Sequence, residues 1–134
     1  MIYVVGSEAD IVGLRTDIRR ERVYLYETIA TPWLARELLL KISQDINSVY
    51  DRPRMYNILF NNCTNALTRR VEDVSDVNFP LTWKVVLPGY FDEVLYDMGL
   101  IVSDDDFLQT KQRALIDNSS VYRRDPDYEF LLRQ

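Results

Sequence analysis

One long apolar stripe does most to limit what this chain can fold into. The stripe follows Thr31-Pro32, a capping hydroxyl and then a proline at the helix position where its missing N–H costs nothing. Its members are Ala35, Leu38, Leu39, Ile42, Ile46 and Val49. Their spacing of three and four residues is that of one helical face. The sequence therefore predicts a core-packing helix from Pro32 to about Tyr50, ended by Arg52-Pro53.

The segments around this helix mix strand and helix patterns. Residues 22–28 alternate polar and apolar side chains, residues 2–5 are β-branched or aromatic, and residues 80–89 hold a short apolar run between two prolines. Each of these predicts an extended segment. Further helices are predicted over residues 8–20, 63–71, 90–98 and 104–116. No repeat or linker divides the chain, so we expect residues 1–134 to form a single domain.

Charge and composition exclude several classes of function. The chain has 21 acidic and 16 basic residues and a net charge of −5, so nucleic acid is not an expected partner. It contains no apolar run long enough for a transmembrane helix, and its first residues lack the pattern of a signal peptide. It has one cysteine and no histidine, which removes the commonest general base and metal ligand.

Cys63 is the strongest candidate for chemistry. Asn61-Asn62 supplies a helix cap, so the thiol falls in the first turn of the predicted helix, where the helix dipole favours a thiolate. The N–H groups of that turn could stabilise an oxyanion, and the amide of Asn57 could join them. The alternative is that Cys63 is a buried thiol that only fills space, as many free cysteines do.

A basic cluster and an acidic run are the other candidates for binding. Arg15, Arg19, Arg20 and Arg22 could hold a phosphate or carboxylate of a substrate. The alternative is that they form solvated ion pairs with neighbours such as Glu21. Residues 104–106 are all aspartates, but carboxylates are common at helix starts and their spacing is not that of a calcium loop. We expect no metal and no cofactor.

Several short motifs together resemble the Lnb-type N-terminal periplasmic domain family, which includes the lipoprotein intramolecular transacylase. They are Tyr3-Val4-Val5, Leu14-Arg15-Thr16, residues 19–26, Tyr56-Asn57, Asn62-Cys63-Thr64, Leu87-Pro88-Gly89-Tyr90 and Gly99-Leu100-Ile101. The resemblance implies an α+β class: part of a permuted papain-like fold, with two to four short strands packed with about four to five helices. It also implies a periplasmic or extracytoplasmic location.

The resemblance also implies roles for individual residues. Cys63 would be the nucleophile, positioned by Asn62 and Thr64. Apart from the resemblance, we expect Tyr56 to bind substrate together with Arg15, Arg19 and Arg22. The family's histidine lies upstream of the segment that resembles Tyr3-Val4-Val5, so we expect this chain to correspond to the C-terminal half of such a domain and to be inactive alone.

Three functions follow as expectations. The first is a cysteine acyltransferase or hydrolase that forms a thioester on Cys63, with a lipid or acylated peptide as substrate. The second is a binding or scaffolding unit without catalysis. The third is a cell-wall amidase or peptidase of the papain-like class. We also expect self-association, or association with the missing N-terminal half, at an uncovered sheet edge.

Overall fold

The fold is described from a computed structural model that covers residues 3–53, 55, 57, 62–116 and 125–133. The chain divides into two compact units. Unit 1 comprises Met1–Tyr3 and Thr28–Ile101, and unit 2 comprises Val4–Glu27 and Val102–Gln134. This division does not test the single-domain expectation, which stays a prediction.

Unit 1 is built on the long predicted helix. Helix α2 spans Pro32–Asp51, and the Thr31 hydroxyl caps it by accepting a hydrogen bond from the Leu34 N–H at 3.2 Å. The predicted helix and its start are therefore confirmed, but its stripe is only partly buried: Val49 is buried, whereas Ala35 is exposed and Leu39 is 65% exposed. Helix α3, Cys63–Val74, packs against α2.

Three shorter helical segments complete unit 1. Helix α4 spans Trp83–Val86, a 3₁₀ turn spans Pro88–Tyr90, and α5 spans Phe91–Asp97. Gly99 follows α5 at a φ of 68°, a left-handed conformation that ends the helix and that glycine adopts without strain. The buried apolar side chains of this unit are Val49, Val85, Val94 and Ile101.

Unit 2 combines two segments that are far apart in the sequence. Helix α1, Glu8–Gly13, continues into a π-helical turn, Leu14–Ile18. Helix α6 spans Phe107–Ala114, and α7 spans Tyr128–Leu131 and packs against α1.

Two side-chain interactions connect the two segments of unit 2. Arg133 forms a two-pronged ion pair with Glu8, with nitrogen to oxygen distances of 2.7 and 2.5 Å. The ammonium of Lys111 lies over the rings of Tyr24 and Phe107, 5.1 and 5.3 Å from their centroids. Cation and aromatic face attract each other at such distances, so α6 is held against residue 24.

The expected α+β papain-like fold is wrong. Of the described residues, 59% are helical and 4% lie in strand-type bridges, and these bridges do not extend into a sheet. The alternating segment 22–28 pairs only through two isolated antiparallel bridges, Tyr24 with Leu115 and Thr28 with Ile101. A strand needs a partner along its length, and neither bridge continues into a ladder. The two to four predicted strands are therefore not found among the described residues.

The run between the two prolines shows a second reason for this error. Residues 83–86 form a helical turn, and Pro88 opens the 3₁₀ turn at a position where a proline's fixed φ suits a helix start. A short apolar run bounded by prolines has no periodicity that separates strand from helix. The sequence also predicts a short strand or extended segment at residues 56–60, and this prediction lies outside the described residues except for Asn57.

Candidate functional site

Cys63 is the first residue of α3 and its side chain is exposed. The side-chain oxygen of Asn62 caps the helix by accepting a hydrogen bond from the Asn65 N–H at 2.8 Å. The first-turn N–H groups of a helix have no partner within the helix and favour negative charge nearby. The exposure of the thiol excludes the alternative of a buried, space-filling cysteine.

The residues on either side of Cys63 hold the start of α3 in place. Asn62 is only 1% exposed, and its Nδ2 donates to the Val86 carbonyl oxygen at 3.2 Å. Thr64 is buried as well. The exposed thiol of Cys63 thus lies between the buried polar side chains of Asn62 and Thr64. Their roles in positioning a nucleophile stay predictions.

An apolar cavity of about 390 Å³ lies between α2, α3 and α5. Helix α3 contributes Leu67, Val71 and Val74 to its lining. At about 100° per residue, these three positions and Cys63 fall within about 80° of one another around the helix. Cys63 precedes Leu67 by about 6 Å along the axis. The thiol therefore lies on the cavity-lining face of α3, one turn before the cavity begins.

Asn57 and Tyr56 are the other residues predicted to act with Cys63. Asn57 is exposed and forms a strand-type bridge. Tyr56 lies outside the described residues. The amide of Asn57 as an oxyanion donor and Tyr56 as a substrate contact therefore stay predictions.

The predicted substrate-binding arginines lie in unit 2, whereas Cys63 lies in unit 1. Arg15 pairs with Glu21 at 2.7 Å, and Arg19 reaches the other oxygen of Glu21 at 3.9 Å. Arg22 is exposed. The structure brings Arg15 and Arg19 together around a carboxylate, which is the solvated ion-pair arrangement. Substrate binding by Arg15, Arg19 and Arg22 stays a prediction.

Lys84 in α4 is a basic side chain two residues before Val86, whose carbonyl binds Asn62. Its ammonium donates to Glu93 at 2.6 Å, and this hydrogen bond raises the pKa of Lys84 above its usual value. A general base works best when its pKa lies near the working pH. Lys84 therefore stays protonated at neutral pH and does not replace a catalytic histidine.

Sequence reasoning missed a buried charged cluster in unit 1. Asp45 is 6% exposed and accepts hydrogen bonds from the Tyr3 hydroxyl at 2.5 Å and from Arg70 at 3.4 Å. Arg70 also pairs with Asp73 at 2.6 Å, and its Nε is buried without a hydrogen-bond partner among the described residues. The signal was available, because Asp45 precedes the buried Val49 by four residues and so shares its helical face.

Within the described part of the chain, no group of three or more His, Cys, Asp or Glu side chains could hold a metal ion. None of the described helices combines the length and apolar character required to cross a membrane.

The comparisons with known proteins give one match. The family described as the Lnb N-terminal periplasmic domain matches residues 1–89, a stretch that includes Cys63 and every other predicted site residue. The periplasmic description of this family indicates an extracytoplasmic location. The chain matches no curated protein and no solved structure.

Proposed function

Because the chain belongs to the Lnb N-terminal periplasmic domain family, we propose that it supplies the thiol of an acyl-transfer reaction, with Cys63 as the acyl acceptor. The observation that carries this proposal is an exposed thiol at a capped helix start, on the helical face that continues into an apolar cavity. A cavity of this size and lining suits a small apolar ligand. The acyl chain would occupy the cavity while its carbonyl carbon meets the thiol.

The proposed reaction has two steps. The Cys63 thiolate attacks the carbonyl carbon of an acyl ester, a C–S bond forms, and the ester C–O bond breaks as the alcohol leaves with a proton. An amine or water then attacks the thioester, the C–S bond breaks, and the thiolate is restored. The first-turn N–H groups of α3 are suited to hold the oxyanion formed in each step.

The reaction needs a proton acceptor that these 134 residues do not contain as histidine. Lys84 is unsuitable because Glu93 keeps it protonated. We therefore propose that the chain acts as a half-site, whose base comes from a histidine outside these residues. On its own it would acylate slowly and deacylate more slowly still.

The cavity suggests a preference for long acyl chains. A methylene group takes up about as much space as a water molecule, whose share of liquid volume is about 30 Å³, so the cavity has room for about a dozen carbons. Nitrophenyl esters of acetate and of dodecanoate test this preference. Mass spectrometry locates the adduct, and nitrophenolate release gives the acylation rate.

The measured quantity is the rate at which the dodecanoate ester acylates Cys63, divided by the rate for the acetate ester. We expect this ratio to be higher in the folded protein than in the same protein in denaturing urea. Ala35→Phe, which adds a ring to the cavity lining, should remove that preference while the reaction of Cys63 with iodoacetamide stays unchanged. Added imidazole should speed the loss of the acyl group, because it supplies the missing base. Equal rate ratios in the folded and denatured protein would rule out the proposal.

A binding unit without catalysis is the second candidate, favoured by the absence of histidine. It predicts that a fatty acid occupies the cavity equally well in the wild type and in Cys63→Ala, without any covalent adduct. The amidase or peptidase alternative depended on the papain-like class, which the helical structure does not support, and we do not propose it.

A further inference from the structure

Residues 28–31 form one wall of the apolar cavity in unit 1, and we call this segment the Thr28 strap. All four residues line the cavity, and all four are exposed to solvent. Ile29 shows this most clearly, because it is 59% exposed and still contributes to the lining. The Thr28 strap therefore borders the cavity and the solvent at once.

Another non-helical segment of the lining, within residues 75–79, is held firmly by comparison. The Phe79 N–H donates to the Glu72 carboxylate at 2.9 Å, and the Ser75 hydroxyl donates back to the α3 backbone at 2.7 Å. The rings of Phe79 and Phe91 pack with their centroids 5.7 Å apart. This part of the lining is thus tied to both α3 and α5.

The Thr28 strap has far fewer contacts of this kind. Within the described part of the chain, the backbone of residues 28–30 makes one hydrogen bond, from the Ile29 N–H to the Leu100 carbonyl at 3.1 Å. Thr31, at the other end, is fixed as the cap of α2. Exposed segments with few hydrogen bonds open locally at a low cost in free energy. We therefore expect the strap to open before the helices or residues 75–79 do.

We propose that the Thr28 strap is the entrance to the cavity: it moves away from Leu100 to admit a long acyl chain and closes over the bound chain. This inference rests on the proposed function, because it requires an acyl chain in the cavity. Opening breaks the hydrogen bond between Ile29 and Leu100. A bound chain contacts Ile29 only when the strap is closed, so binding favours the closed form.

The first test locks the Thr28 strap with a disulfide. Thr28 and Ile101 face each other as a non-hydrogen-bonded antiparallel pair, because the hydrogen bond joins their neighbours. The Cα atoms of such a pair lie about 4.5 Å apart, a distance that a disulfide can span. Thr28→Cys combined with Ile101→Cys, in a Cys63→Ala background, therefore gives a strap that oxidation locks and a reductant releases.

The measured quantity is the rate at which radiolabelled dodecanoate leaves the protein. The reduced double variant is loaded with dodecanoate, part of it is oxidised, and release into excess unlabelled dodecanoate is followed by rapid filtration. We expect oxidation to slow release about tenfold or more, and a reductant to restore it, because the chain leaves only through the open strap. The matched controls are Thr28→Cys and Ile101→Cys alone, which cannot form the crosslink and should release dodecanoate equally fast with and without oxidant.

Hydrogen exchange of the wild type is the second test, and it decides the question even if the double variant does not fold. We expect dodecanoate to slow exchange of the Ile29 amide about tenfold or more, and to change the Phe79 amide little, because Glu72 already holds it. Unchanged release on oxidation, or an Ile29 amide that dodecanoate does not protect, overturns the strap and leaves acyl transfer at Cys63 standing. A wild type that binds no dodecanoate overturns both proposals.

Discussion

The substitution Asn62→Ala tests how the start of α3 is held in place. It removes the hydrogen bonds to the Val86 carbonyl and the Asn65 N–H from a side chain that is almost fully buried. The lost cap to the Asn65 N–H costs about 1 kcal/mol, and the lost bond to the Val86 carbonyl about 1 kcal/mol more. The expected loss in the free energy of unfolding is therefore about 2 kcal/mol.

Two further variants separate these contributions. Asn62→Ser keeps an oxygen that can cap α3 but loses the donor to Val86, so we expect a loss of about 1 kcal/mol. Thr31→Ala removes only the exposed cap of α2, for which we also expect about 1 kcal/mol. It is the matched control, because this variant loses a helix cap but no second hydrogen bond.

Urea unfolding followed by tryptophan fluorescence measures these losses, because both tryptophans lie in unit 1. We expect Asn62→Ala to lose the most free energy of unfolding, and Asn62→Ser and Thr31→Ala to lose smaller and similar amounts. A loss for Asn62→Ala no greater than that for Thr31→Ala would refute the reasoning. The bond from Asn62 to the Val86 carbonyl would then contribute nothing to stability.

Two other predictions concern the ends of helices. The hydrogen bond from Arg133 lowers the pKa of Glu8 below 4.5, so its stabilisation is present above that pH and is lost as the pH falls through the lowered value. At pH 7 the free energy of unfolding of the wild type should therefore exceed that of Glu8→Gln by at most about 1 kcal/mol, as for exposed ion pairs. Unfolding titrations in acid should show that this difference vanishes. Gly99→Ala should cost about 1 kcal/mol in urea unfolding because of its left-handed backbone. Gly89→Ala, at a position with open space and no such backbone, should be nearly neutral; equal costs for the two would contradict this argument.

The sequence predicted those parts of the fold that depend on neighbouring residues. Thr31-Pro32 marked the start of α2 and Asn61-Asn62 marked the start of α3, because caps act within one helical turn. The strand at residues 22–28 was predicted wrongly, since a strand exists only if a distant segment pairs along it.

In the candidate site, too, local sequence predicts some features and not others. The position of Cys63 at a capped helix start follows from local sequence, and the structure agrees. The cavity beside α3 arises from helices that are distant in the chain, and no local pattern indicates it. The buried Asp45 was missed, although its spacing of four residues from Val49 places it on the core face of α2.

The composition of unit 2 has a consequence for synthesis. The unit joins Val4–Glu27 to Val102–Gln134, so its first segment leaves the ribosome well before its second. Helix α1 pairs with Arg133 and packs against α7, so it cannot complete its contacts until residues 128–133 are present. A chain shortened to end at Ile101 would keep the residues of unit 1 but leave α1 without these partners, and α1 would then be open to proteases.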